Sequence, residues 1–150
     1  MKIRTSTTIK ASRERLWPLL TNSEMNAPGS FCLGVPRPVE CRLPDGEGAV
    51  GASRQCVSDR GVVNQEITCW LPPDQLQFKM IDTDHDWSPC VESITEQFDL
   101  EDVNNGTRIT RTTTLRAKGY FRLLKEFGFY FGLKRVHYFV FKNWRRSAET

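Results

Sequence analysis

The sequence predicts a soluble α+β fold, a curved antiparallel sheet closed over a long C-terminal helix with an apolar pocket between them. Three observations point there. Polar and apolar residues alternate from Met1 to Lys10, and turn signals recur from Pro36 to Gly106 between runs rich in β-branched and aromatic residues. From Lys118 onward the apolar spacing changes to threes and fours. Short strands joined by short turns make an antiparallel meander, not a β–α–β array. At 150 residues the chain has the length of one domain, so residues 1–150 are expected to share one core.

The first strand, Met1–Lys10, places Ile3, Thr5, Thr7 and Ile9 on one face and Lys2, Arg4, Ser6 and Thr8 on the other. Ser12 stands where an N-cap belongs, before a short helix over Arg13–Leu20 that carries Leu16, Trp17, Leu19 and Leu20. Pro18 removes a backbone donor inside that helix and keeps it short or bent. Thr21–Gly29 can hold a second short helix, ended by Pro28-Gly29. Six further strands are expected at Val39–Leu43, Ala49–Ser58, Val62–Leu71, Gln75–Asp82, Val91–Leu100 and Thr107–Ala117, seven in all. Among the turns between them Asn104-Asn105-Gly106 is the clearest, because Asn and Gly tolerate the positive φ of tight hairpins.

In the terminal helix Tyr120, Leu123, Leu124, Phe127, Tyr130 and Phe131 share one face. Beyond Gly132 the apolar set becomes Leu133, Val136, His137, Val140 and Trp144, rotated by roughly 130° from the first. One straight helix cannot bury both stripes against one sheet. A break or kink is therefore expected at Gly128–Gly132, where glycine lets a helix bend.

Charge is unevenly distributed. From Lys118 to Ala148 eight basic residues face one acid, Glu126, so this segment carries +7 and the remainder of the chain −4. The same segment holds ten of the sixteen aromatic residues. For nucleic acid the basic residues would form a stripe beside exposed stacking rings; they scatter around the helix instead, which disfavours that partner.

Several classes are set aside by what the chain lacks. No run approaches the ~18–20 apolar residues that span a bilayer. The N-terminus has no apolar signal-peptide block and reads as the mature start of a cytoplasmic protein. Five cysteines form no CxxC pair, and His85 and His137 lie far apart, so no metal site is expected. The cysteines are expected to be reduced, acting as small core hydrophobes. No GxSxG, P-loop or dinucleotide fingerprint occurs, and no cofactor is expected.

The order of elements, with Thr8-Ile9-Lys10-Ala11-Ser12 before Leu16-Trp17, Ile67-Thr68-Cys69-Trp70-Leu71-Pro72-Pro73, and Phe98-Asp99-Leu100 leading to Gly106-Thr107-Arg108-Ile109-Thr110, resembles the START-like superfamily. That superfamily is also called SRPBCC or helix-grip; the likeness is to its polyketide cyclase/dehydrase and lipid-transport group and covers nearly the whole chain. It implies a helix-grip fold with a ligand cavity. It does not fix a function, because the superfamily includes carriers, hormone receptors, cyclases, chaperone activators and ring-hydroxylase subunits. The iron-binding histidine and carboxylate cluster of its oxygenase members has no match here.

A curved sheet packed on a helix leaves a cavity lined by alternate strand residues. On the last strand Ile109, Arg111, Thr113 and Leu115 are expected to face inward, which puts the Arg111 guanidinium in need of an acceptor. That acceptor is a ligand carboxylate or enolate, or an acid such as Glu92 or Glu66; a register slip would instead leave Arg111 on the surface. Trp70, Phe78 and Phe98 form either an aromatic ligand wall or plain core. His85, between Asp84 and Asp86 and beside Trp87, is either a general base in a lid or part of an ordinary polar loop. The run from Phe127 to Gly132 lines the pocket mouth with Phe127 and Phe131, joins a homodimer, or dips into a membrane surface.

The leading function is the binding of a small hydrophobic molecule, lipid or polyketide-like, by a carrier or sensor. Two others compete with it. One is a cyclase/dehydrase-type enzyme using Arg111, Glu92 and His85. The other is a basic aromatic surface that contacts a membrane or a protein partner.

Overall fold

The computed structural model describes residues 1–27, 31, 35–44 and 46–149. Its strands are β1 (Lys2–Ile9), β2 (Ser23–Glu24), β3 (Pro38–Arg42), β4 (Ser53–Ser58), β5 (Val62–Leu71), β6 (Gln75–Thr83), β7 (Val91–Val103) and β8 (Gly106–Ala117). Helix α1 (Arg13–Thr21) follows β1, and helix α2 (Arg122–Ala148) ends the fold. The eight strands form one antiparallel sheet in the order β1-β8-β7-β6-β5-β4-β3-β2. Only the first strand leaves its sequence neighbours, crossing over to pair with β8.

The sheet is curled, and its register shows how. The β5–β6 ladder slips twice, between Asn64 and Gln65 and between Ile67 and Cys69, and further slips interrupt β3–β4 and β7–β8. Each extra residue bends its strand and increases the local twist. Asn104 and Asn105 turn the chain from β7 to β8, and Gly106 follows at φ +149°. A Cβ at Gly106 would collide with the Ile9 carbonyl, so the close approach of β1 requires glycine.

The seven-strand expectation needs one addition: Ser23–Glu24, placed in a second short helix from the sequence, is the edge strand β2 paired with β3. Asn22 explains the change, for it ends α1 in an extended conformation and its side chain accepts from Leu43 N at 3.2 Å, tying this stretch to the sheet. The Pro28-Gly29 stop, Asp45 of one turn and Cys32 lie outside the described residues. The expected N-cap is in place, with Ser12 Oγ accepting from Arg15 N at 3.3 Å, and Pro18 sits inside α1.

Two further expectations are corrected. Helix α2 runs unbroken through Gly128 and Gly132. The reason is that only one of its stripes packs on the sheet: His137, Val140, Trp144 and Ala148 are buried, whereas Leu123, Leu124, Phe127 and Phe131 are each more than half exposed. The helix has no need to turn both stripes inward, because its first half overhangs the sheet. The cysteines are not all reduced either. Cys41 and Cys56 are directly opposed on β3 and β4, with Cα atoms 4.2 Å apart, and form a disulfide; Cys69 and Cys90 are free. Strand register, which sequence spacing does not reveal, brings that pair together.

The main core lies between the inner sheet face, α1 and the second half of α2. It contains Ile9, Leu16, Leu20, Ile67, Phe78, Phe98, Phe139 and Trp144. No helix of the described residues is long and apolar enough to cross a membrane.

Candidate functional site

Two adjoining spaces lie between α2 and the sheet. The inner chamber has a volume of about 130 Å³ and is bordered by β4, β5, β6, β7 and β8 on one side and by Leu133, Val136, Val140 and Trp144 of α2 on the other. The outer vestibule, about 770 Å³, lies under the first half of α2. Pro36, Trp87, Ile94, Leu133 and Val136 border both, so the two adjoin across a mainly apolar waist. Together they reach the size of small-molecule sites.

The inner chamber is apolar with a charged floor. Phe78 and Phe98, both 1% exposed, stand side by side with ring centres 5.9 Å apart. The Arg54 guanidinium lies over Phe78 at 4.2 Å, and that of Arg111 over Phe98 at 5.2 Å. Arg111 reaches Glu96 Oε2 through Nε at 2.8 Å and Nη2 at 2.6 Å. Thr113 donates to Glu96 Oε1 at 2.6 Å, so both carboxylate oxygens are held. Ile109, Arg111, Thr113 and Leu115 thus occupy the inward face of β8, and the acceptor for Arg111 is Glu96 of β7.

Behind this pair lies a buried relay. His137 of α2 sits between Thr5 Oγ1, 2.8 Å from its Nδ1, and Thr113 Oγ1, 2.7 Å from its Nε2. One arrangement uses each hydrogen once: Thr5 donates to Nδ1, Nε2–H donates to Thr113, and Thr113 donates to Glu96. Burial, aided by the Arg111 charge, pushes the His137 pKa down to about 2, so the ring is neutral. The relay pins α2 to β1 and β8 and leaves His137 no free nitrogen for proton transfer.

Arg54 was not singled out from the sequence, yet it is the most deeply enclosed cation on the wall, 2% exposed. Its Nε and Nη2 donate to the Leu20 carbonyl at 3.0 and 2.6 Å, and its Nη1 reaches Gln65 Oε1 at 2.6 Å and Cys56 Sγ at 2.8 Å. Leu20 lies in the last turn of α1, which has no basic residue of its own, so Arg54 supplies a positive charge to that helix end. Burial lowers its pKa to about 9, Glu96 opposing and Arg111 adding to the shift, so it remains charged at neutral pH.

The other residues named from the sequence are dispersed. Trp70 borders neither space; it packs edge-on against Trp17 at 5.2 Å. Phe131 borders the vestibule, while Phe127 stacks edge-on against it at 5.0 Å on the outer side of α2. Glu92 is an exposed partner of Arg116 at 2.6 Å, and Glu66 borders neither space. His85 borders the chamber, but Ser58 Oγ and Thr83 Oγ1 engage its two nitrogens at 2.7 Å each, and its ring stacks on Trp87. Burial lowers its pKa against the pull of Asp84, Asp86 and Asp59, which keeps it neutral at pH 7. Arg54, Glu96, His137 and Trp87 were missed as site residues. Alternation gave one usable signal, since Glu96 lies two residues before Phe98 on one strand and so shares its face.

No family model matches the chain, and no curated protein matches it either. Solved structures do. A START superfamily protein from Mycobacterium smegmatis superposes with a TM-score of 0.67 at 11% identity, over 99% of this chain and 97% of that one. Ara h 8.0201 gives 0.67 at 14% identity, again over 99% and 97%. A protein from Mesorhizobium loti gives 0.65 at 16% identity, over 97% and 98%. The structural neighbours are START-like proteins, and at these identities the likeness is one of fold.

Proposed function

We propose that this protein binds a small hydrophobic molecule, lipid or polyketide-like, in the cleft between sheet and α2, as a carrier or sensor. The observation that carries this reading is the pair of adjoining spaces under α2, about 130 Å³ inside and about 770 Å³ outside, walled mainly by apolar side chains. The START-like fold of the neighbours supports it. Binding is favoured over catalysis because the two histidines and Glu96 are each engaged by neighbouring groups, which ties up these candidate acids and bases among the described residues of the inner chamber and the relay behind it. Native mass spectrometry of freshly purified protein, before and after adding excess neutral apolar ligand, tests the reading. A one-to-one adduct is expected; a protein that stays unliganded under all additions would sink it.

A second reading rests on the outer face of α2. Leu123, Leu124 and Phe127 stand on one side of the helix, next to exposed Tyr120 and Phe121, and each is more than half exposed. Lys118, Arg122, Lys125, Lys134 and Arg135 lie on or just before the same part of the chain, whereas its one acid, Glu126, is turned inward toward the N-terminal amine. Two copies packed through this face would oppose like charges, while an anionic bilayer complements it. The protein is therefore expected to sediment with vesicles containing phosphatidylserine and much less with phosphatidylcholine alone. Leu124→Asp with Phe127→Asp should abolish that binding. Dimerisation through this patch, without vesicle binding, would contradict the membrane reading.

A further inference from the structure

The charged floor of the inner chamber limits what a ligand can be. Arg54 and Arg111 are two cations on one wall, and Glu96 is the acid that faces them there. His85 and His137 are neutral, so the floor carries a net positive charge at pH 7. The end of α1 offsets part of the Arg54 charge. Every hydrogen-bond partner of Arg54 among the described residues is itself uncharged. Arg111 spends Nε and Nη2 on Glu96, and its Nη1 donates to no described residue. Trp144, which borders the same chamber, has its indole N–H buried without an acceptor among the described residues. A buried donor without an acceptor and buried charge without counter-charge are both costly, and an anionic acceptor in the chamber relieves both.

We propose that the inner chamber is an anion subsite, and that the ligand is an apolar molecule ending in one carboxylate-like group held by Arg54 and Arg111, with its body in the vestibule. This rests on the cavity-binding reading above and deepens it. The Glu96 carboxylate orients Arg111 and does not compete for the outer donors, because both of its oxygens are already engaged. The chamber is small, so it takes the head group and the first few carbons; the waist at Ile94, Leu133 and Val136 is apolar and suits a chain or ring.

The test compares decanoate, methyl decanoate and decylamine at pH 7 by isothermal titration calorimetry on the intact protein. Decanoate is expected to bind about ten-fold or more tightly than either neutral ester or cationic amine, the size of a charge-assisted hydrogen-bonded contact. In Arg54→Gln, which keeps a donor for the Leu20 carbonyl, the ratio of acid to ester affinity should shrink toward unity. Equal binding of acid and ester by the unaltered protein would overturn the anion subsite and leave the cavity reading standing. A preference for the amine would overturn it too, identifying Glu96 as the governing charge. Failure of all three to bind would reject the cavity reading itself. Because the acid–ester comparison needs no substitution, it decides the matter even if Arg54→Gln does not fold.

Discussion

Glu96→Ala is expected to destabilise the protein by about 3–5 kcal/mol, the usual cost of removing one partner from a buried ion pair. For a chain of this length that corresponds to a fall in melting temperature of about 10 °C. Glu96 is 5% exposed and holds Arg111 through two contacts and Thr113 through one. Its loss strands two neighbouring guanidinium groups in the interior and frees the end of the relay that runs through His137 to Thr5. The cost therefore comes mainly from the charge left behind and only partly from lost contacts. Replacing both Glu96 and Arg111 by leucine removes that pair altogether and should recover a large part of the loss. Urea denaturation of the three proteins measures this. A single substitution costing under about 1 kcal/mol would mean that water or an ion already screens the pair.

The second large effect is functional. Ile94 and Val136 face each other's space at the waist, bordering both chamber and vestibule. Ile94→Trp or Val136→Trp should fill the waist and weaken ligand binding at least about ten-fold, the loss of a single well-packed contact region. Stability should change by less than about 1.5 kcal/mol, because the added ring enters open space and not a close-packed core. Equilibrium titration with a neutral apolar ligand reads the first quantity and urea denaturation the second. Undiminished affinity in both variants would place the ligand elsewhere. The disulfide between Cys41 and Cys56 also borders the chamber, so titrations belong under defined redox conditions.

Much of the fold was legible because local signals agreed with one another. Val62–Leu71 was bounded on both sides by turn residues, and β5 has those bounds. The inward face of β8 followed from alternation alone, since Ile109 and Leu115 mark the face that Arg111 and Thr113 share. Where the reading failed, tertiary context decided. Ser23–Glu24 carries no strand pattern and is held by β3. Helix α2 was expected to break because both of its apolar stripes were assumed to be buried. Periodicity reports which side chains share a face and not whether another element covers it. The site was less legible than the fold. Trp70 reads like a pocket aromatic but packs on Trp17, and Arg54 reads like a surface charge on a polar strand, Ser53–Ser58. Its burial depends on the end of α1 presenting the Leu20 carbonyl to it, a long-range contact with no local trace. Glu96, by contrast, shares the face of Phe98 by alternation, and only its partners across β7 and β8, Arg111 and Thr113, depend on the strand register.

That the cleft between sheet and α2 holds a hydrophobic ligand is open to direct test. Titrating the folded protein with N-phenyl-1-naphthylamine, a neutral probe that fluoresces in apolar surroundings, tests it directly. Saturable one-to-one enhancement that unlabelled ligand displaces and that Ile94→Trp suppresses is the expected result. Absence of saturable enhancement, or enhancement untouched by that substitution, would contradict it.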